Sequence, residues 1–429
     1  MITRIEAHNY RCFAKLAIDL DRYHVLAGAN GAGKTTLLDI PVFVGELLRR
    51  RSLVGAVLER QDSGRSPRAS TLTDLLHNGQ GDAVAFAFEA RLPQPVTDVL
   101  GESSQSRLGR AVPTHLRYEL RLDISTREIR VADEYLFLFA EDGSRPVPGI
   151  FPQGRSVTPG ALEHDDWQSV IHRAGGPLTQ FTPESTSQPV DLPQLRLSSA
   201  QLALGAIPPD ETLFPAALWF AALLRDAVYF DPDPEALRGA APPGLPKRLT
   251  ASGQSLPWLA LGLQDASPDD FSSWIDHVRT ALPQIKDIRA YEREADHYAY
   301  LSVEYEGGYR VSSPGLSDGT LKILAVTLLP FLAAGTVPRL LVTEEPENGI
   351  HPRAIETVME SLGSLFDVQV WVSTHSPIVL AQTELRDILA TRLAEDGSVS
   401  VVRGDRHPRL REWQGEVDLG TLFAAGVLS

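Results

Sequence analysis

The segment Gly28-Ala29-Asn30-Gly31-Ala32-Gly33-Lys34-Thr35 constrains this chain more than any other. It fits G-x-x-x-x-G-K-[ST] and stands between an apolar run and a helical pattern. Tyr23-His24-Val25-Leu26-Ala27 reads as a short central strand, and a helix is predicted from about Gly33 to Leu48. Pro41 falls inside that helix and predicts a kink or an early break. Glycines let backbone N–H groups curl around phosphate oxygens with no Cβ in the way, and the helix aims its positive end at the same place. The pattern therefore predicts phosphate contacts from Gly28, Ala29, Asn30, Gly31, Ala32, Gly33, Lys34, Thr35 and Thr36. Lys34 would reach the β- and γ-phosphates, and the Thr35 hydroxyl would ligate Mg²⁺.

Three further segments gain meaning from that loop. Leu340-Leu341-Val342-Thr343-Glu344-Glu345-Pro346 is an apolar strand ending in two carboxylates. Glu344 would hold the Mg²⁺ water shell, and Glu345 would orient or deprotonate an attacking water. Without the loop the same residues read equally well as paired surface acids. Leu316-Ser317-Asp318-Gly319-Thr320 precedes a helix predicted over Thr320 to Ala334, so Ser317 and Gly319 offer a hydroxyl and free N–H groups to an anion. An ordinary helix cap uses the same residue types. Trp371-Val372-Ser373-Thr374-His375-Ser376-Pro377 places His375 just past an apolar strand, where its ring can hydrogen-bond a γ-phosphate.

Together and in this order, these segments resemble the ABC-type ATPases of the SMC/RecF/OLD group. The opening Ile5-Glu6-Ala7-His8-Asn9-Tyr10-Arg11-Cys12-Phe13, the stretch from Glu344 to Pro352, Phe230-Asp231-Pro232 and the closing Asp418-Leu419-Gly420-Thr421-Leu422-Phe423 share in the resemblance. It implies an α/β P-loop NTPase fold, ABC/SMC-head-like, with an antiparallel β N-terminal lobe and an inserted, mainly helical or irregular segment. It also implies ATP hydrolysis through Lys34, Glu345 and His375. Two heads would close head-to-tail on two ATP molecules, with Ser317 and Gly319 serving the partner's nucleotide. Arg11 matches a position near the nucleotide, although a solvated strand-end arginine fits it as well. Glu347 to His351 would form the D-loop, with His351 where aspartate is usual, and Gln80 is the nearest candidate for a Q-loop.

The rest of the chain divides into an N-terminal ATPase lobe (1–144), an insertion with a core strand near 227–230 (145–285) and a C-terminal ATPase lobe (286–429). Alternating runs predict strands at Ala83–Leu92, Thr114–Ile124 and Glu128–Leu138. From Arg145 to Leu213, clustered Pro, Gly, Ser and Gln leave no readable period. No sustained heptads occur, which excludes long coiled-coil arms.

Acids outnumber bases by 55 to 40, giving a net charge of −15, so non-specific coating of nucleic acid by the whole surface is excluded. Arginines 49, 50, 51, 60, 65 and 68 nevertheless face only Glu59 and Asp62, and arginines 107, 110, 117, 121, 127 and 130 form a second cluster. Either could contact duplex DNA, and either could be an ordinary solvated face. The single cysteine, Cys12, suits a reducing compartment, and no run is long enough to span a bilayer, so a cytoplasmic protein is expected. About fifty residues follow His375, too few for an appended nuclease module. The leading expectation is an ATPase head coupled to DNA processing or to a separately encoded anti-phage effector. The alternative is a regulatory scaffold for a partner protein, with ATP as an assembly ligand. An ATPase subunit of a membrane transporter fits less well, because 286 positions separate Gly33 from Gly319.

Overall fold

Period-two alternation over the first twenty residues builds paired strands, and apolar runs without alternation build buried parallel ones. A computed structural model describes residues 1–104, 111–140, 167–185, 192, 194–394 and 397–407. The strands are β1 (Ile2–Tyr10), β2 (Phe13–Asp19), β3 (Tyr23–Gly28), β4 (Ala83–Arg91), β5 (His115–Ile124), β6 (Ile129–Phe139), β7 (Gln168–Ala174), β8 (Leu178–Phe181) and β9 (Leu195–Arg196). They continue with β10 (Val228–Tyr229), β11 (Ile285–Glu292), β12 (Ala299–Tyr305), β13 (Arg310–Ser312), β14 (Leu340–Glu344), β15 (Gln369–Ser373), β16 (Ile388–Leu393) and β17 (Val399–Arg403). The principal helices are α1 (Lys34–Arg49), α2 (Pro215–Arg225), α3 (Leu256–Ala266), α4 (Pro268–Ala281), α5 (Asp318–Thr327) and α6 (Pro352–Gly363). The chain folds into two compact units, neither of them a single stretch of sequence.

One unit comprises residues 1–21, 30–226 and 391–402. Its antiparallel sheet runs β2-β1-β4-β5-β6-β7-β8-β9. One face is apolar, and there Tyr10, Phe43 and Phe86 meet edge and face, while Phe88, Tyr118 and Phe220 pack at tilted angles. The other face carries a buried row of charges. Arg117 binds Glu6, Glu89 and Glu119 at 2.8–2.9 Å, and Arg4 binds Glu6 and Asp19. Helix α1 passes through Pro41 without ending, so of the expected kink or early break the break does not occur. The proline forgoes one ladder bond, while Leu37, Leu38, Ile40, Phe43, Val44 and Leu47 bury the helix on the core. Where Pro and Gly hid any period beyond Arg145, the described residues form β7, β8 and β9, which extend the sheet. β8 and β9 have four and two residues and close the sheet at its edge, so they carry little of the alternation that a sequence reading uses.

The other unit comprises residues 22–29, 227–390 and, among those described, 403–407. Here β10, β14, β15 and β3 lie in that order and all run parallel, with β16 beyond β3. A continuous apolar core includes Val25, Phe230, Trp274, Leu324, Leu341, Val358 and Val372. A second, antiparallel sheet is ordered β11-β12-β13. Helix α5 stops at Thr327 instead of reaching Ala334 and is followed by a 3₁₀ turn, Leu329–Phe331. Pro330 accounts for this, since it has no N–H to donate to the carbonyl four residues back and its ring crowds that carbonyl. Parallel strands deliver their C-terminal ends to one edge, so the ends of β3, β14 and β15 are neighbours.

Candidate functional site

Each of those three strand ends runs into one of the segments singled out in the sequence. Strand β3 ends at Gly28, the first residue of the phosphate loop, and β14 ends at Glu344, opposite Ser373 of β15. Beyond β15, the backbone N–H of Thr374 donates to the carbonyl of Leu26 at 3.1 Å, tying the histidine-bearing turn to β3. Glu345 follows with φ of +43°, a left-handed conformation uncommon for a side chain of this kind. Its N–H donates to the Ser373 carbonyl at 2.8 Å. The Glu345 carboxylate lies 3.9 Å from Nε2 of His375, and both side chains are partly exposed. The structure thus brings the predicted acid and histidine together.

Within the same unit, the segment before α5 plays two roles. Ser317 caps the helix, its hydroxyl accepting from the N–H of Thr320 at 3.2 Å, so the ordinary capping role is filled. Gly319 is required by a close approach, since a Cβ there would stand 2.7 Å from the carbonyl oxygen of Gly349. Lys322 adds a bond to the Asn348 carbonyl at 3.1 Å. The N-terminus of α5 is therefore knit to the loop that follows Glu345. His351 caps α6, with Nδ1 accepting from the N–H of Arg353 at 3.2 Å, which gives a local reason for histidine at that position.

The remaining predicted residues belong to the other unit. Gly33 starts α1 with φ of +81°, and a Cβ there would stand 2.8 Å from Sγ of Cys12. Lys34 and Thr36 are buried, whereas Thr35 is exposed. Arg11 also has a positive φ, 51°, and its turn is clamped by Leu75, which accepts its N–H, and by His77, whose ring bonds its carbonyl. Arg11 and Thr35 line one polar cavity of about 390 Å³ together with Asp39, Gln61, Arg65 and Arg68. Gln61 is nine-tenths buried, and its Oε1 has no partner among the described residues. Nothing in the sequence pointed to Gln61 or Asp39. Gln80, the candidate Q-loop residue, is exposed and does not line this cavity. The closing Asp418–Phe423 lies outside the described residues.

The arginine clusters look different once folded. Arg49 and Arg50 pair with Asp62, and Arg68 is fully buried between Asp39 and Glu46. Arg117 belongs to the buried charge row, Arg121 faces Asp123 and Asp133, and Arg130 pairs with Glu128. Arg107 and Arg110 are outside the described residues. Counting arginines along the chain missed acids supplied by distant elements.

Residues 24 to 381 match the family described as an AAA domain, putative AbiEii toxin, Type IV TA system. That match spans most of the chain. The chain belongs to this AAA-domain family. Its fold is that of an SMC head, as in the crystal structure of the Smc head bound to the C-winged helix domain of ScpA. There the TM-score is 0.50 at 13% identity, over 94% of this chain and 96% of that one. The Smc head domain with an extended coiled coil from Pyrococcus furiosus, bound to the C-terminal domain of ScpA, is also similar (TM-score 0.48, 12% identity, 94% and 95% coverage). The SMC head domain from Thermotoga maritima is a third (TM-score 0.39, 11% identity, 94% and 98% coverage). No curated protein matches. As a member of the AAA-domain family with this fold, the chain is an ABC/SMC-type P-loop protein. Among the described residues no helix is long and apolar enough to cross a membrane.

Proposed function

We propose that the protein binds and hydrolyses ATP with Mg²⁺, and that two copies close head-to-tail on nucleotide to drive a separately encoded effector. The observation that carries this reading is the approach of Glu345 and His375 at the strand edge where the phosphate loop begins. The residues suit Mg²⁺, because a magnesium site needs only one or two protein oxygens besides the nucleotide's own phosphates. The Thr35 hydroxyl, exposed at the start of α1, and the Glu344 carboxylate at the end of β14 would supply them. Mg²⁺ would neutralise charge that develops between the β- and γ-phosphates. Lys34 and the N–H groups at the start of α1 orient the phosphate chain. Glu345 holds the attacking water in line and takes up its proton, and His375 donates to the γ-phosphate. Ser317 and Gly319 would face the nucleotide held by the partner copy.

That Arg49, Arg50, Arg68, Arg117, Arg121 and Arg130 are each paired with an acid favours a protein effector over DNA as the output, and the family's description fits a defence setting. Steady-state ATP turnover, with and without duplex DNA, tests the reading, with Lys34→Ala as the blank. Wild-type turnover above that blank is expected, with little response to DNA. Glu345→Gln should accumulate ATP-bound dimers, and a mutant that stays monomeric in ATP contradicts the mechanism. Assembly by a non-hydrolysable analogue without any measurable turnover would instead favour the scaffold.

A further inference from the structure

We propose that Glu347 and Thr374 are a positioning pair that holds Glu345 and His375 in register. The proposal deepens the ATPase reading and rests on it for its catalytic consequence. The Thr374 hydroxyl donates to Oε1 of Glu347 at 2.5 Å and accepts from the N–H of Ser376 at 2.9 Å. Its hydrogen-bonding capacity is thereby directed at both ends, and the second bond folds residues 374 to 376 into the turn that presents His375. On the other side, Glu345 donates its N–H to Ser373, and its own carbonyl accepts from Asn348 at 2.9 Å. The Glu347 carbonyl accepts from Ile350 at 3.2 Å.

These bonds close a ring. From Ser373 the path crosses to Glu345, follows the chain to Glu347, crosses back through the side-chain bond to Thr374 and returns to Ser373. The ring contains Glu345, whose backbone is held left-handed, and closure supplies the constraint that such a conformation needs. Packing alone does not account for Glu347. Its Oε2 is buried with no partner among the described residues, an arrangement that an apolar side chain would relieve. Glu347 therefore points inward as a strut, although the resemblance to ABC-type heads would put it at a dimer surface. The bonds of Lys322 to Asn348 and the close fit of Gly319 on Gly349 extend the strut to the N-terminus of α5.

The test combines turnover with amide hydrogen exchange on the full chain. Thr374→Val keeps the shape and removes the hydroxyl, Thr374→Ser restores it, and Glu347→Leu removes the acceptor. The kcat for ATP should fall about tenfold or more in Thr374→Val and in Glu347→Leu, a loss of the size expected for a hydrogen bond to a charged group. Affinity for a non-hydrolysable analogue should stay within about twofold, because neither residue is placed on the nucleotide. Thr374→Ser should recover most of the rate, and the double variant should be no worse than either single one. In nucleotide-free protein, Glu347→Leu should speed exchange of the Ser376 amide although Thr374 is still present. Unchanged kcat in Thr374→Val, additive losses in the double variant, or unchanged Ser376 exchange in Glu347→Leu would each overturn the proposal. A wild-type protein without turnover, but with the exchange effect, removes the ATPase reading and leaves the strut standing.

Discussion

At the residue scale, the site is governed by close approaches that leave no room for substitution. Gly319→Ala puts a methyl group against the backbone oxygen of Gly349, and backbone on both sides leaves no flexible side chain to yield. A loss of about 1–3 kcal/mol is expected, the usual range for overpacking, and denaturant unfolding of the two proteins measures it. A cost near zero would mean that α5 and the loop can part without consequence. The phosphate loop was legible in the sequence because its chemistry is local: glycines, a lysine and a threonine at fixed spacing serve one curled backbone. Glu345 and His375 were legible because each follows an apolar strand. The bond from Glu347 to Thr374 was not, since it depends on the register of two parallel strands. His351 stands where aspartate is usual, and its capping bond to Arg353, a local reason for histidine there, shows only in the structure.

At the scale of elements, most helices and strands of the three sheets followed their periodicities, β7, β8 and β9 had none to follow, and two helices depart from expectation at prolines. Pro41 was expected to kink α1 or break it early, and the helix runs on through it to Arg49, whereas Pro330 ends α5 early. Tertiary burial decided the first case and local sterics the second. Helix α2 shows a different kind of support. Glu184 is almost fully buried, and its carboxylate accepts from the N–H groups of Ala216 and Ala217 at the helix start, at 2.6 and 2.9 Å. Burial pushes its pKa from the ordinary 4.5 up to about 8, outweighing those two donors, which favour the charged form. The folded state therefore retains a proton that the unfolded chain releases, so stability falls as pH rises from about 4.5 and levels off above about 8. Glu184→Gln should lose that slope, which paired unfolding titrations across this window would show. Parallel slopes for the two proteins would place the pH dependence elsewhere.

At the scale of the whole molecule, a net charge of −15 coexists with two arginine clusters, in which Arg49, Arg50, Arg68, Arg117, Arg121 and Arg130 each meet an acid. Strand β3 lies between β15 and β16, yet it comes from residues 22–29, far from the rest of its unit in sequence. A fragment of residues 227–390 therefore lacks the middle of its own sheet, including buried Val25 and Ala27. It should fail to unfold cooperatively, whereas the full chain should do so; a cooperative transition from the fragment alone would show that β3 is dispensable.

The path of the chain passes from one unit to the other five times, at 21/22, 29/30, 226/227, 390/391 and 402/403. For the gene, this means that no single breakpoint can exchange one unit for a relative's and keep the other whole. A crossover anywhere inside the coding sequence mixes ancestry within at least one core, where mismatched side chains are selected against. Novelty in such a lineage has to arrive by point substitution or by growth of loops, and the two units are bound to descend together.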